Sequence, residues 1–407
     1  MRASRYLNRR FAAVVALALA CAACRDKSAG TKRVTPAPGD LLPRERPAGT
    51  VEVTAMFYGA MPTGVTVSRN DRVLVSFPRV GDPVEYTLAE LRDGQLVPFP
   101  DAELNQWPGN LPADQALVSV QSVVTGPTGR IWAVDTGNPK FEGVIPGAAK
   151  LVALDPVDGT VLERISLPPS VALRTSYLSD ARIDLRRGKA GVAFITDASM
   201  RGPNAIIVVD LASGRSWRRL DGHPSTKADP AFVPFVEARE LWVRRPGKPR
   251  ERYAVGADGI ALSPDGKRLY YCPLASRRLY AVSVDALVNE LLPDSEVAKT
   301  VEDLGEKGAS NGLESDEQGR IYVSSYEHNA IMRRDADGTF ETLVHDPRVL
   351  WPDTLHLATD GWLYFTVNQL NRQPRFHDGH DERVRPYALM RVKTDGRPVR
   401  LANVPVL

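Results

Sequence analysis

The chain has 407 residues, with 52 Lys and Arg against 49 Asp and Glu, a formal net charge of +3 and only 3 cysteines. Four of the arginines (Arg2, Arg5, Arg9 and Arg10) lie in the first ten residues; without them the charge becomes −1, which leaves no basic footprint for nucleic acid. Beyond Cys24 the only cysteine is Cys272, so no intrachain disulfide framework is available and a packed core has to hold the fold.

In chain order, those arginines precede the apolar run Phe11 to Ala20, which is too short to span a bilayer, and residues 1–23 read as an export signal. The run ends in LALACAAC, small residues before a cysteine, which resembles the lipobox of bacterial lipoproteins. Cys24 is the preferred lipid acceptor and Cys21 the alternative; cleavage after an A-x-A site with plain secretion is the competing reading. Residues 24–50 are rich in Pro, Gly, Lys, Arg and Ser without apolar periodicity and read as a flexible tether. The expected product is an exported protein of the envelope or periplasm, or a secreted one. Its membrane contact is expected only through the N-terminal lipid anchor, and the domain is expected to be a monomer.

From residue 51 to 407 the pattern is short alternating strands punctuated by Asp-Gly, Gln-Gly and Thr-Gly turns, which predicts an all-β domain. Six strand–turn–strand hairpins recur: Val65 to Phe77, Val123 to Asp135, Ala181 to Thr196, Gly259 to Cys272, Gly312 to Ser325 and Thr354 to Val367. Each is followed by a third strand and usually a fourth. Six units of four antiparallel strands predict a six-bladed β-propeller, because radial stacking buries both faces of sheets that would otherwise stay wet. Val51 to Tyr58 precedes the first hairpin and is expected to complete the last blade.

The stretches RVLVSFPR, GRIWAVDTGN, SPDGKRLYYCPLASRRLYAV, YEHNAIMR and WPDTLHLATDGWLYFTVNQL, within about Pro62 to Lys393, resemble the major royal jelly/Yellow family. The resemblance implies a propeller. Its members include ligand carriers, structural secretory proteins and proteins linked to dopachrome conversion, so the fold does not settle the function.

In such a blade the start of the first strand, the loop between strands two and three and the link to the next blade share one face. The long segments Thr136 to Ala149, Gly222 to Val255 and Asn368 to Pro386 fall there, with short turns expected at the other end. Thr63, Gln121, Asp180, Asp258, Asn311 and Asp353 begin the six inner strands and are expected to ring the channel mouth. Such oxygen ligands suit calcium or another divalent cation, with Asp180, Asp258, Asn311 and Asp353 as metal candidates; the bland alternative is that they only shape turns or hold water. Phe141 and Tyr326, with Trp132, Trp351 and Trp362, are candidates to wall a pocket for an aromatic ligand.

A second resemblance is to the gluconolactonase/regucalcin propellers: GIALSPDG and ASNGLESDEQG are similar to their metal-ligand motifs, which implies ligand roles for Asp258 and Asn311. Ser179 stands where that family's ligand asparagine belongs, and no counterpart to its first-blade glutamate is present. The leading expectation is a binding protein for a small polar or aromatic molecule, with or without a divalent cation. The alternatives are a metal-dependent lactonase or dopachrome-tautomerase-like enzyme, and a scaffold for other envelope proteins.

Overall fold

The computed structural model describes residues 47–403. The signal segment 1–23, Cys21, Cys24 and the tether up to residue 46 lie outside the described residues. Six four-stranded antiparallel sheets form a six-bladed β-propeller. Blade 1 comprises Val65–Val67, Val73–Ser76, Leu88–Arg92 and Gln95–Pro98, and blade 2 comprises Val120–Thr125, Ile131–Asp135, Lys150–Leu154 and Val161–Ser166. Blade 3 is Leu178–Asp184, Val192–Asp197, Ile206–Asp210 and Ser216–Arg219; blade 4 is Ala257–Leu262, Arg268–Pro273, Arg278–Ser283 and Glu302–Glu306. Blade 5 is Ser310–Ser315, Ile321–Ser325, Ala330–Arg334 and Phe340–His345. Blade 6 is Pro352–Leu357, Trp362–Val367 and Tyr387–Lys393, completed by Val51–Phe57 from the other end of the domain.

Position in the blade explains the hydrophobic patterning. The first strands stand side by side around the channel, so both faces are covered and every residue of Ala257–Leu262 is buried. A fourth strand has one wet face, and Val161–Ser166 alternates exposed and sheltered residues accordingly. Val51–Phe57 pairs antiparallel with Tyr387–Lys393 and joins the two ends of the ring. Phe57 is buried, with its ring edge on Phe77 of blade 1 at 5.4 Å between centroids. Ordered pairing starts before Val51, because Ala48 and His345 exchange backbone hydrogen bonds of 2.8 and 2.9 Å.

Two features depart from the sequence expectation of short turns at the lower end. Two short helices, Val284–Val288 and Asp294–Ala298, separate the third and fourth strands of blade 4, the first capped by Ser283 accepting from the Ala286 N–H. The chain after Lys393 then crosses from blade 5 to blade 3: the Glu317 N–H donates to the Arg397 carbonyl at 3.0 Å, and the Leu185 N–H to the Leu401 carbonyl at 2.8 Å. Pro398, Val399 and Leu401 thereby cover a lower chamber of the channel lined also by Arg182, Glu314 and His356.

Candidate functional site at the upper channel mouth

Five of the six inner strands carry a register shift at their first residues: Val120/Ser122, Leu178/Ala181, Ala257/Gly259, Ser310/Leu313 and Pro352/Leu355. A bulge leaves one residue unpaired and re-aims its side chain. The residues so placed are Gln121, Ser179, Asp258, Asn311 and Asp353, and Thr63 holds the corresponding place in blade 1. All six line one pocket.

This corrects one ring residue. Asp180 aligns with Gly259 and Gly312 of the next blades, one place beyond the ring, and Ser179 stands in the ring instead. The Asp180 carboxylate turns away from the pocket to accept from Ser122 Oγ at 2.6 Å and Arg182 Nη1 at 2.8 Å. LSDARID contains two adjacent polar residues and no Asp-Gly, so nothing in the local sequence marks which of them faces the pocket.

The ring backbone is fixed across blade seams by hydroxyls that sequence reasoning missed. Ser76 Oγ donates to the Gln121 carbonyl at 2.9 Å, Thr196 Oγ1 to that of Asp258 at 2.7 Å and Thr366 Oγ1 to that of Thr63 at 2.6 Å. The signal for them was a Ser or Thr near the end of the aromatic-rich second strand. The side chains are linked as well: Ser179 Oγ donates to Asp258 Oδ1, Tyr177 OH to Gln121 Oε1 at 2.7 Å, and Asn311 Nδ2 to Asp353 Oδ1 at 2.5 Å. Asn368 Nδ2 caps the other Asp353 oxygen at 2.7 Å. Asn311 Oδ1 is buried and has no hydrogen-bond partner.

Above this polar floor the wall is apolar and aromatic. Phe141, Tyr177 and Tyr253 line it with Met61, Met200 and Leu370, and Arg375 reaches over them; the recess encloses about 460 Å³ including its open mouth. Phe141 sits 4.7 Å from the Tyr177 ring, on a backbone held in the left-handed region at φ 59°, a strained conformation for an aromatic residue. The three long segments foreseen on this face contribute Phe141, Tyr253 and Arg375. Tyr326 does not join them: it is fully buried, stacked on Trp351 at 4.2 Å, with its hydroxyl donating to the Leu274 carbonyl at 2.8 Å. Cys272 lies buried and unpaired on the second strand of blade 4.

Electrostatics follow from burial. Asp258 is pushed well above the ordinary carboxylate range by desolvation and then by the neighbouring Asp353 charge, against the opposing Ser179 hydrogen bond. Asp353 is raised to about 7, again chiefly by desolvation, with its hydrogen bond from Asn368 working the other way. Such shifts in a cleft mark a candidate functional site.

The oxygen-rich floor has the donor type a hard cation wants, but calcium takes about six to eight oxygens and the ring offers two carboxylates, both already hydrogen-bonded. Among the described residues no three His, Cys, Asp or Glu side chains converge to hold a metal. Of the four candidates, Asp258, Asn311 and Asp353 line the pocket and Asp180 does not, and among the described residues the side chains alone do not form a complete cation site.

The major royal jelly protein family model matches residues 118–395. The chain belongs to the major royal jelly protein family. Among relatives in that family, it is 27% identical over 247 residues to protein yellow of Drosophila melanogaster, and 26% identical to that of Drosophila pseudoobscura pseudoobscura. These matches cover 57% of this chain and 42% and 41% of the respective relatives, so the chain spans less than half the length of the curated relatives it matches. Solved propellers superpose over most of the domain. A luciferin-regenerating enzyme gives a TM-score of 0.53 at 13% identity, covering 87% of this chain and 100% of that one. A regucalcin from Agrobacterium tumefaciens strain C58, described as calcium-binding, gives 0.50 at 15% identity, covering 86% and 97%. At these identities the likeness shows the fold alone.

Proposed function

We propose that this member of the major royal jelly protein family is a binding protein that holds a small polar or aromatic molecule at the upper mouth of its channel. The observation that carries the reading is Asn311 Oδ1, a buried acceptor without a partner, on a polar floor beneath aromatic walls. An unsatisfied buried polar atom costs roughly 1–3 kcal/mol, and a donor on a bound molecule removes that cost. Small-molecule sites typically combine such a floor with apolar walls.

A second reading adds a divalent cation, supported by the oxygen-rich floor and by the regucalcin neighbour's description as calcium-binding. Here ligand or water oxygens would have to complete the coordination. A thermal-shift screen of small polar and aromatic compounds, run with calcium and with chelator, tests both readings. Hits that vanish in Asn311→Leu support the site. A calcium-dependent shift that vanishes in Asp258→Asn supports the cation, and no hit in any condition defeats both. Turnover of a lactone or a dopachrome-like quinone, lost in Asp258→Asn, would move the protein to the enzymes.

The same proposal places the domain outside the cytoplasm on a lipid anchor. It is supported by the N-terminal pattern, and Cys21→Ser with Cys24→Ser should release the protein from the membrane fraction or block its processing. A wild-type protein already soluble in the periplasm or medium counts against the anchor.

A further inference from the structure

Arg375 lies on the short turn Pro374–Phe376 within the segment between the second and third strands of blade 6, and its backbone carbonyl is tied down by the Arg244 N–H at 2.8 Å. Its guanidinium carbon sits 4.9 Å from the ring centre of Phe141, 5.0 Å from that of Phe376 and 5.2 Å from that of Tyr253. Its polar contacts are weak: Tyr253 OH at 3.4 Å and Met200 Sδ at 3.9 Å. Arg375 Nε is buried with no hydrogen-bond partner. Other arginines of the same segment are paired: Arg372 with Glu237, and Arg383 with Asp82 at 2.9 Å. Among the described residues no carboxylate forms an ion pair with Arg375. Three aromatic faces compensate a guanidinium only in part, and a carboxylate that accepts from its fork does so far better.

We propose that the ligand of this pocket is an aryl carboxylate, whose acid group pairs with Arg375 while its ring lies along Phe141 and Tyr177 and a polar substituent reaches Asn311. The inference rests on the binding reading above and specifies its ligand class. The order of the layers carries it: an unpaired cation at the rim, aromatic rings below it and an unpartnered acceptor at the floor match the three parts of such a molecule in sequence. A cationic amine of the same size would meet Arg375 at the entrance and be repelled.

Isothermal titration of the purified protein with 4-hydroxyphenylacetate and tyramine, which share a ring and differ in the sign of their charge, tests this. Acetate serves as the ringless control. The acid should bind wild type at least about tenfold more tightly than tyramine, and Arg375→Met should lose at least about tenfold for the acid while leaving tyramine unchanged or improved. Arg375→Lys, which keeps the charge without the fork, should retain part of the affinity and provides a folded comparison if the methionine variant is unstable. Acid binding unchanged in both variants, or acetate binding as tightly as the aryl acid, overturns the proposal. Tyramine binding that Asn311→Leu abolishes, with no binding of the acid, also overturns it but leaves the binding reading standing. Failure of all three probes at millimolar concentration overturns the aryl-carboxylate class, and the compound screen then decides the binding reading separately.

Discussion

Ser179 Oγ donates to Asp258 Oδ1 across the seam between blades 3 and 4, and among the described residues it is the one side-chain donor on that carboxylate. The contact joins two bulges 79 residues apart in sequence, and it exists because the blade 3 residue that faces the pocket is Ser179 rather than Asp180. Had Asp180 stood there, two acids would face each other across the seam. Its actual place beside Arg182 takes that carboxylate out of the ring, although its charge still helps to raise Asp258 and Asp353.

Removing this hydroxyl leaves Asp258 buried without its donor. Ser179→Ala should cost about 1–2 kcal/mol at pH 8, where more of the carboxylate is ionised, and less at pH 5. Urea unfolding at the two pH values checks it; an equal loss at both would show that the contact does not act through the Asp258 charge.

Much of this architecture was legible in the sequence because blades repeat and inner strands often announce themselves. Asp258-Gly259 and Asn311-Gly312 begin inner strands with a polar residue followed by one that tolerates close approach: a Cβ on Gly312 would lie 2.5 Å from the Asp353 carbonyl oxygen. Blade 3 has no such glycine, and the ring residue there could not be told from its neighbour. Phe141 and Tyr326 looked equivalent in sequence, but one lies on a segment over the pocket and the other packs on Trp351. Arg375 was not legible, since its partners Phe141 and Tyr253 come from segments that meet only after the ring has closed. The helices after Ser283 interrupt a strand pattern too briefly for helical periodicity to show.

Ring closure rests on the strand Val51–Phe57, and Phe57 carries it into blade 1 through Phe77. Phe57→Ala should cost about 3–5 kcal/mol, the usual range for emptying a buried aromatic site, whereas Met56→Ala, on the exposed side of the same strand, should stay within about 0.5 kcal/mol. Chemical denaturation of both variants measures the difference, and similar midpoints would mean that the closing strand contributes little.

Arg182 organises the lower chamber: it meets Asp180 at 2.8 Å, Glu314 at 3.7 Å and the Leu313 carbonyl at 2.7 Å. Arg182→Met strands two acids at once and should destabilise by about 3–5 kcal/mol, the cost of breaking a buried pair from one side. Adding Asp180→Asn should restore part of the loss. Additive losses in the double variant would refute the coupling.

Four groups facing the channel bear on how stability should change with pH, one of them Glu314 of the lower chamber, whose carboxyl burial also raises. Asp258 and Asp353 have raised values, the second to about 7, so each holds a proton that the unfolded chain releases near 3.8. Their stabilising contribution is complete at low pH and is lost as pH rises through the raised values. His356 works in the opposite direction. Desolvation and the Arg182 charge push it from 6.5 down to about 3, so its contribution is present above 6.5 and lost as pH falls towards 3. In the mildly acidic range the raised carboxylates oppose one imidazole, and each such carboxylate makes stability fall with rising pH by at most about 1.4 kcal/mol per unit. Asp258→Asn removes one of these carboxylates, so its profile should fall less steeply than that of wild type. Urea midpoints at pH 4.5, 6.5 and 8.5 read this directly: the variant should gain on wild type as pH rises. Parallel profiles for the two proteins would mean that Asp258 is ionised in the folded state throughout, and the polar floor would then be a charged one.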